Sequence, residues 1–406
     1  MFGGGSSNIG WATSTNGGAT WTSGFLPSIT ANGVPAGPYG QVTDPAVAYD
    51  AQDSVWLISS LGIGSTTDVL TSRSTNGGLT WSNPVLTATG NLDKNWIVCD
   101  NSAASPFFGN CYTQYDVASG NAIRMKTSTD GGVTWGPARA PSSGAGGLGG
   151  QPVVRPNGTV LVPYQSTSTG EIRSFRSTNG GASWRATVQV STIRHHSVAG
   201  LRESPMPSAE IDAAGTAYVA WPDCRFRSGC TSNDIVLAKS TSETTWAVPV
   251  RVPIDAITST VDHFAPGLAV DKSTSGATAR IGLTYYYYPT ASCTASTCQL
   301  DVGFISSTNG GSTWSAPVQI AGPMTLSWLP NTSQGRMFGD YISTSILAGG
   351  NAYPVIPVAT APVGSTFHVP MVVPTGGMWV SGGARSAGAW TGPLPLAAAA
   401  TETTAR

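Results

Sequence analysis

Arginine, carboxylate, histidine and tyrosine side chains crowd together at a few points of a chain that is otherwise poor in charge. LRESPMP carries Arg202 and Glu203, TVDHFAPG carries Asp262 and His263, and QGRMFGDY carries Arg336, Asp340 and Tyr341. VTDPAV adds Asp44, NLDKNW adds Asp93 and Lys94, and IRHHS adds His195 and His196. WPDCRFRSGC brings Arg225 and Arg227, and the run YYYY brings Tyr285 and Tyr287. A guanidinium grips a carboxylate by a two-toothed fork. A neutral imidazole takes a proton from carbon beside a carboxylate that arginine neutralises. Exposed tyrosines stack on sugars, and the whole set is what a site for an anionic sugar requires. Arg202 and Glu203 are neighbours, so in extended chain they point opposite ways and one of them faces the site. Arg225 and Arg227 are two apart and are expected to point the same way, as a clamp. By the same alternation two of the four tyrosines are core and two reach the rim. Asp44 and Asp93 also suit the ends of turns before strands.

The elements that must position these residues announce themselves by repetition. STNGGATW (Ser14–Trp21) returns as STNGGLTW, STDGGVTW, STNGGASW and STNGGSTW, ending at Trp81, Trp135, Trp184 and Trp314. A degenerate copy, STSETTW, ends at Trp246, so the tryptophans fall 60, 54, 49, 62 and 68 residues apart. Such a period is one supersecondary unit repeated. Each unit parses into four short strands with small-residue turns, the pattern of a propeller blade. The Asn or Asp of each copy accepts backbone N–H groups, and the Gly pair supplies positive φ. The eight-residue stretch is therefore a hairpin staple between the third and fourth strands, with its tryptophan folded back to bury apolar surface. Loops entering first strands, and loops joining second to third strands, then lie on the opposite face, which is where the charged segments above fall.

The staple has the form S-x-[DN]-x-G-x-[ST]-W, and the chain resembles the Asp-box, or bacterial neuraminidase repeat, proteins with a sialidase-like β-propeller. The resemblance covers residues 14–314 and implies an all-β fold of four-stranded antiparallel blades. Six blades are expected, with seven as the alternative count. It also implies an arginine triad for a sugar carboxylate, an aspartic acid/base, and a tyrosine nucleophile assisted by a glutamate. Arg202, Arg336 and one of Arg225 or Arg227 are the triad candidates. Tyr341 or one of Tyr285–Tyr288 is the candidate nucleophile, Glu203 its partner, and Asp44 or Asp262 the acid. The family's Arg-Ile-Pro motif is missing, and the first basic residue of the chain is Arg73. Boxed propellers also include polysaccharide lyases that use histidine and tyrosine, and glycan-binding proteins without activity. A carbohydrate-active hydrolase is the leading expectation, with uronate lyase and non-catalytic binding behind it.

Composition limits the remaining readings. Charged residues are 10% of 406, with 20 basic and 21 acidic, and no basic run offers a nucleic-acid or membrane-surface partner. The stretch 341–384 has no Asp, Glu, Lys or Arg, but Pro and Gly break it throughout, so it is read as strands rather than a span. The six cysteines form three close pairs, Cys99/Cys111, Cys224/Cys230 and Cys293/Cys298, expected as local disulfides of an oxidising compartment. Their spacing suits no zinc site and no acidic loop has calcium-ligand spacing, so neither metal nor cofactor is expected. The opening MFGGGSS reads as a mature or trimmed form of an exported protein. One propeller over 1–392, a disordered tail over 393–406 and a monomeric, secreted state complete the expectations.

Overall fold

The computed structural model of the protein describes residues 6–347, 350–380 and 396–398. They form a six-bladed β-propeller of small antiparallel sheets. Among them, helix is limited to three single 3₁₀ turns, at Ser228–Cys230, Gly276–Thr278 and Leu326–Trp328. Among the described residues no helix is long and apolar enough to cross a membrane.

Blade one is Gln41–Asp50, Val55–Ile63, Thr67–Ser74 and Val85–Ala88. Blade two is Leu92–Cys99, Cys111–Val117 and Ala122–Ser128, its fourth position reduced to two isolated bridges, Met125 with Arg139 and Ala122 with Gly146. Blade three has an interrupted first strand, Gly147–Leu148 and Val153–Val154, followed by Val160–Ser166, Glu171–Ser177 and Val188–Thr192. Blade four is Ser208–Ile211, Ala217–Asp223, Asp234–Ser240 and Val250–Arg251. Blade five is Asp262–Val270, Ile281–Tyr288, Gln299–Ser307 and Val318–Thr325. Ser343–Ile346 and Asn351–Pro357 continue the ring, with Met371–Pro374 and Met378–Trp379 paired to the latter. The N-terminal hairpin Gly10–Thr13/Thr22–Phe25 closes the circle. Its Gly18 sits against Tyr353 on one side, and Thr13 Oγ1 donates to Gly78 O of blade one on the other. Residues 396–398 pair with 372–374, and the rest of the segment beyond 380 lies outside the described residues.

The staples work as their composition requires. In the copy at Ser74, the serine hydroxyl donates to Asn76 Oδ1 (3.0 Å) and accepts from Gly78 N–H (2.9 Å). Asn76 Oδ1 also accepts from Thr80 N–H (3.0 Å), and Trp81 Nε1 donates to Gly78 O (3.2 Å). Gly77 and Gly78 have φ of 78° and 82°, a region where a Cβ is penalised. Each staple then leans on the preceding blade: Gly132 contacts Leu57, Gly181 contacts Tyr112 and Thr127, and Gly311 contacts Leu237. The degenerate copy lacks both Asn and Gly. There Ser242 Oγ accepts from the Thr244 and Thr245 N–H groups (3.3 and 2.8 Å) in place of the Asn, and Arg155 of blade three donates to the carbonyls of Ser240 and Thr241 (3.1 and 3.3 Å), tying the turn to its neighbour.

Apolar side chains fill the spaces between blades as a series of separate clusters. All three expected disulfides form, and no described cysteine is free.

Candidate functional site

The start of each first strand opens on the channel at the face opposite the staples. In blades one and two the strand begins with a bulge. Two residues, Asp44 and Pro45, lie opposite the single Ser60 of the neighbouring strand, and Lys94 and Asn95 lie likewise opposite Tyr115. The residue after the first pairing, Asp44 or Lys94, takes a left-handed conformation (φ 52° and 49°). The bulge bends the strand and re-aims that side chain.

Asp44, Asp93, Lys94, Arg202, Asp340 and Tyr341 converge there. Lys94 Nζ lies 2.7 Å from Asp340 Oδ2 and 3.3 Å from Asp93 Oδ1. Arg202 reaches the same Asp340 oxygen at 3.0 Å. The Tyr341 hydroxyl donates to Asp44 Oδ2 (2.9 Å), and its ring stands edge-on to Trp96 at 5.3 Å. Burial raises the Asp44 pKa, Lys94 pulls it back, and the charges of Asp340 and Asp93 raise it again; the net direction is upward. Burial works against the Lys94 ammonium, but Asp44, Asp340 and Asp93 outweigh it and hold the amine firmly charged. Tyr341 is pushed well up by burial and then by Asp44 and Asp340, so it rests as a phenol.

Behind this group stands Asp116, directly across the ladder from Asp93 and fully buried. Burial, then the Asp93 charge, lifts its pKa to about 7, and only Asn121 supports it with a side-chain hydrogen bond (3.2 Å). Asp116 sits inside a strand, away from the charged loops; the approach of two acids, Asp93 and Asp116, across one ladder is the signal that marks it.

The adjacent pair Arg202 and Glu203 diverges as expected. Arg202 turns to Asp340, while Glu203 is buried and meets His195 Nε2 at 2.9 Å. Burial opposes the His195 cation, but the Glu203 contact and the nearby Asp262 and Asp223 charges raise its pKa overall. His196 Nδ1 lies 3.1 Å from Asp262 Oδ2, and Asn233 donates two hydrogen bonds to the other oxygen of that buried carboxylate. Arg336 neighbours Arg202 through the backbone, Arg202 N–H donating to Arg336 O (2.7 Å), but its guanidinium donates to Leu329 O (2.7 Å).

Four candidates belong elsewhere. Arg225 and Arg227 do not point the same way, because the disulfide-closed segment turns: Arg227 N–H donates to Cys224 O (3.0 Å). Arg225 forks onto Asp223 (2.9 and 2.7 Å) and is no open clamp. Arg227, 5% exposed, is locked between Asp234 (2.6 Å) and Asp255 (2.7 Å), with Arg251 Nε 2.8 Å from Asp234. His263 abuts this cluster, fully buried, with Nδ1 3.1 Å from Asn233 O; burial drives its pKa down to about 4. Tyr285 is buried and stacks edge-on with His263 (5.5 Å), so it cannot meet a sugar. Tyr287 is half-buried. The alternation expected of the tyrosine run fails because this strand is covered on both faces.

No family model matches the sequence, and no curated relative does. Solved structures similar in overall fold include a Hadza microbial sialidase (12% identity, 84% of this chain and 72% of that one, TM-score 0.48). A leech intramolecular trans-sialidase is similar over 82% of this chain and 67% of its own, at 12% identity and TM-score 0.49. The Aleuria aurantia lectin matches over 82% and 96%, at 12% identity and TM-score 0.44.

Proposed function

We propose that the protein is a glycoside hydrolase acting on anionic glycans at the channel mouth. One observation carries this reading: a phenol, Tyr341, donates to a carboxylate, Asp44, beside two cations that share Asp340. A phenol is a weak nucleophile at its own pKa and needs an adjacent base. Asp44, its basicity raised by burial and by neighbouring acids, takes the proton as the Tyr341 oxygen bonds to the anomeric carbon and the glycosidic C–O bond breaks. The departing alkoxide takes a proton from water. The hydroxide so formed displaces Tyr341, which recovers its proton from Asp44. Arg202 spends one nitrogen on Asp340 and one on the Met337 sulfur, leaving Nε for a sugar carboxylate.

A second reading has its own support. His196, fixed through Nδ1 by Asp262, keeps Nε2 as a base for β-elimination from a uronate chain. Incubation with a fluorogenic sialoside and with uronate polysaccharides separates the two by product, and glycan binding without either product would leave a lectin-like role. For the hydrolase, Tyr341→Phe lowers kcat/KM about 10³-fold with little change in Tm. Turnover that survives this change removes Tyr341 from the chemistry and the proposal with it.

A further inference from the structure

The bulge that presents Asp44 and Lys94 occurs in two more blades. In blade five the register steps by one residue between Phe264 and Gly267, and Ala265 has φ 46°. In blade three the pairings Leu148–Gln165 and Val153–Leu161 again leave one extra residue on the entry strand, and Gly149 has φ 62°. Asp44, Lys94, Gly149 and Ala265 therefore occupy one equivalent position. Among the described residues seven non-glycine residues have positive φ, and three of them are at this position. Holding a side chain in that region is unfavourable, and such strain gathers where a side chain must be aimed.

The four positions divide the mouth. The neighbouring blades one and two present an acid and an ammonium. Blades three and five place a hydrogen and a methyl there, and the buried Gly149 and Ala265 (8% exposed) form the floor of one recess with Trp96, Met206, Asp340 and Tyr341. The recess is tight: a Cβ on Gly149 would come within 2.8 Å of the Met206 sulfur. Glycine would fit the backbone at 265 without strain, so the methyl there is a filler of defined size.

We propose that the bulge position is the substrate-selecting ring of this propeller and that Ala265 is its size-determining member. The ligand it selects is an anionic sugar unit with its charged group toward Lys94 and Arg202. On the opposite edge it carries an uncharged substituent small enough to lie against a methyl. This rests on the hydrolase reading for the ligand class, but selection is read by binding and does not depend on turnover.

The test is a glycan array of anionic sugars graded in the size of the uncharged substituent, probed with the wild-type chain, Ala265→Gly and Ala265→Leu. Ala265→Gly relieves backbone strain, so it folds, and it gains about tenfold affinity for the larger substituents while the smallest are unaffected. Ala265→Leu, shown folded by its melting curve, loses at least tenfold affinity, most for the larger substituents. Equal shifts across the array, no shift in either variant, or a wild-type chain that binds none of the array overturns the proposal. Size-graded binding without cleavage sinks the hydrolase alone and leaves the ring assignment standing.

Discussion

Two groups of Asp, cation and aromatic ring lie within this propeller, and they differ in how their charges are settled. Between blades four and five, Arg227 and Arg251 meet Asp234 and Asp255; Arg227 also donates to Ala256 O and Ser259 O (2.9 and 2.8 Å). Two positive charges answer two negative ones, and the side chains of Arg227 and Asp234 are each 1% exposed. At the channel mouth Lys94 and Arg202 face Asp44, Asp93 and Asp340, with Asp116 behind. Acid is in excess, one carboxyl is lifted to about 7, and two of the side chains stand on strained backbone. A charge-balanced group holds a fold together. An unbalanced and strained one stores the free energy that binding and proton transfer draw on.

The comparison breaks most decisively at Arg227. Arg227→Ala leaves Asp234 and Asp255 buried against a single arginine, and breaking such a pair costs about 3–5 kcal/mol. Urea unfolding then shows a large loss of stability, while the kcat/KM of whatever protein remains folded is unchanged. A stable Arg227→Ala protein with impaired turnover would move this group into the site and erase the distinction.

Much of this was open to reading from the chain alone, and the failures have a common cause. The staples were legible because hydrogen-bonding within eight consecutive residues, from Ser74 to Trp81, is local and requires those residue types. Asp44, Lys94, Arg202, Asp340 and Tyr341 were found because charge is scarce and topology alone fixes which end of a blade an entry loop occupies. Arg225, Arg227, His263 and Tyr285 misled because their directions depend on tertiary cover. A disulfide-closed turn defeats two-residue alternation, and a strand packed on both faces has no rim side. TVDHFAPG, read as a loop, is the beginning of Asp262–Val270, so Asp262 and His263 are held inside a sheet. The bulges were invisible for the same reason, since the register shift depends on the partner strand.

The imbalance at the mouth sharpens as a dependence on pH. Asp116 binds its proton up to about pH 7 in the folded protein, whereas in the unfolded chain it releases it in the ordinary carboxylate range. Between those values the folded state holds the extra proton, so stability falls as pH rises through the window. Asp116→Asn keeps the shape and removes the titration. The variant's Tm should exceed that of the wild type by a few degrees at pH 8 and match it at pH 4. A wild-type difference between those two pH values that persists undiminished in the variant would place the titrating group elsewhere.

The smallest effect separates strain from charge. At Asp44 the left-handed backbone costs roughly 1–2 kcal/mol, a cost glycine escapes, while glycine forfeits roughly 0.4–1 kcal/mol through the freer unfolded chain. Asp44→Gly also removes one of the excess acids, an effect opposed by loss of the hydrogen bond from Tyr341. The backbone terms alone leave a gain of roughly 0–1.6 kcal/mol, read as a higher urea midpoint, alongside loss of turnover. The corresponding change in the buried group, Asp234→Gly, removes a partner of Arg227 and Arg251 from a charge-balanced network and destabilises. Opposite signs at a half-buried and a fully buried aspartate follow from one being held against its backbone preference and the other by its partners. If both substitutions destabilise alike, the bulge at Asp44 is unstrained and aims its side chain at no energetic expense.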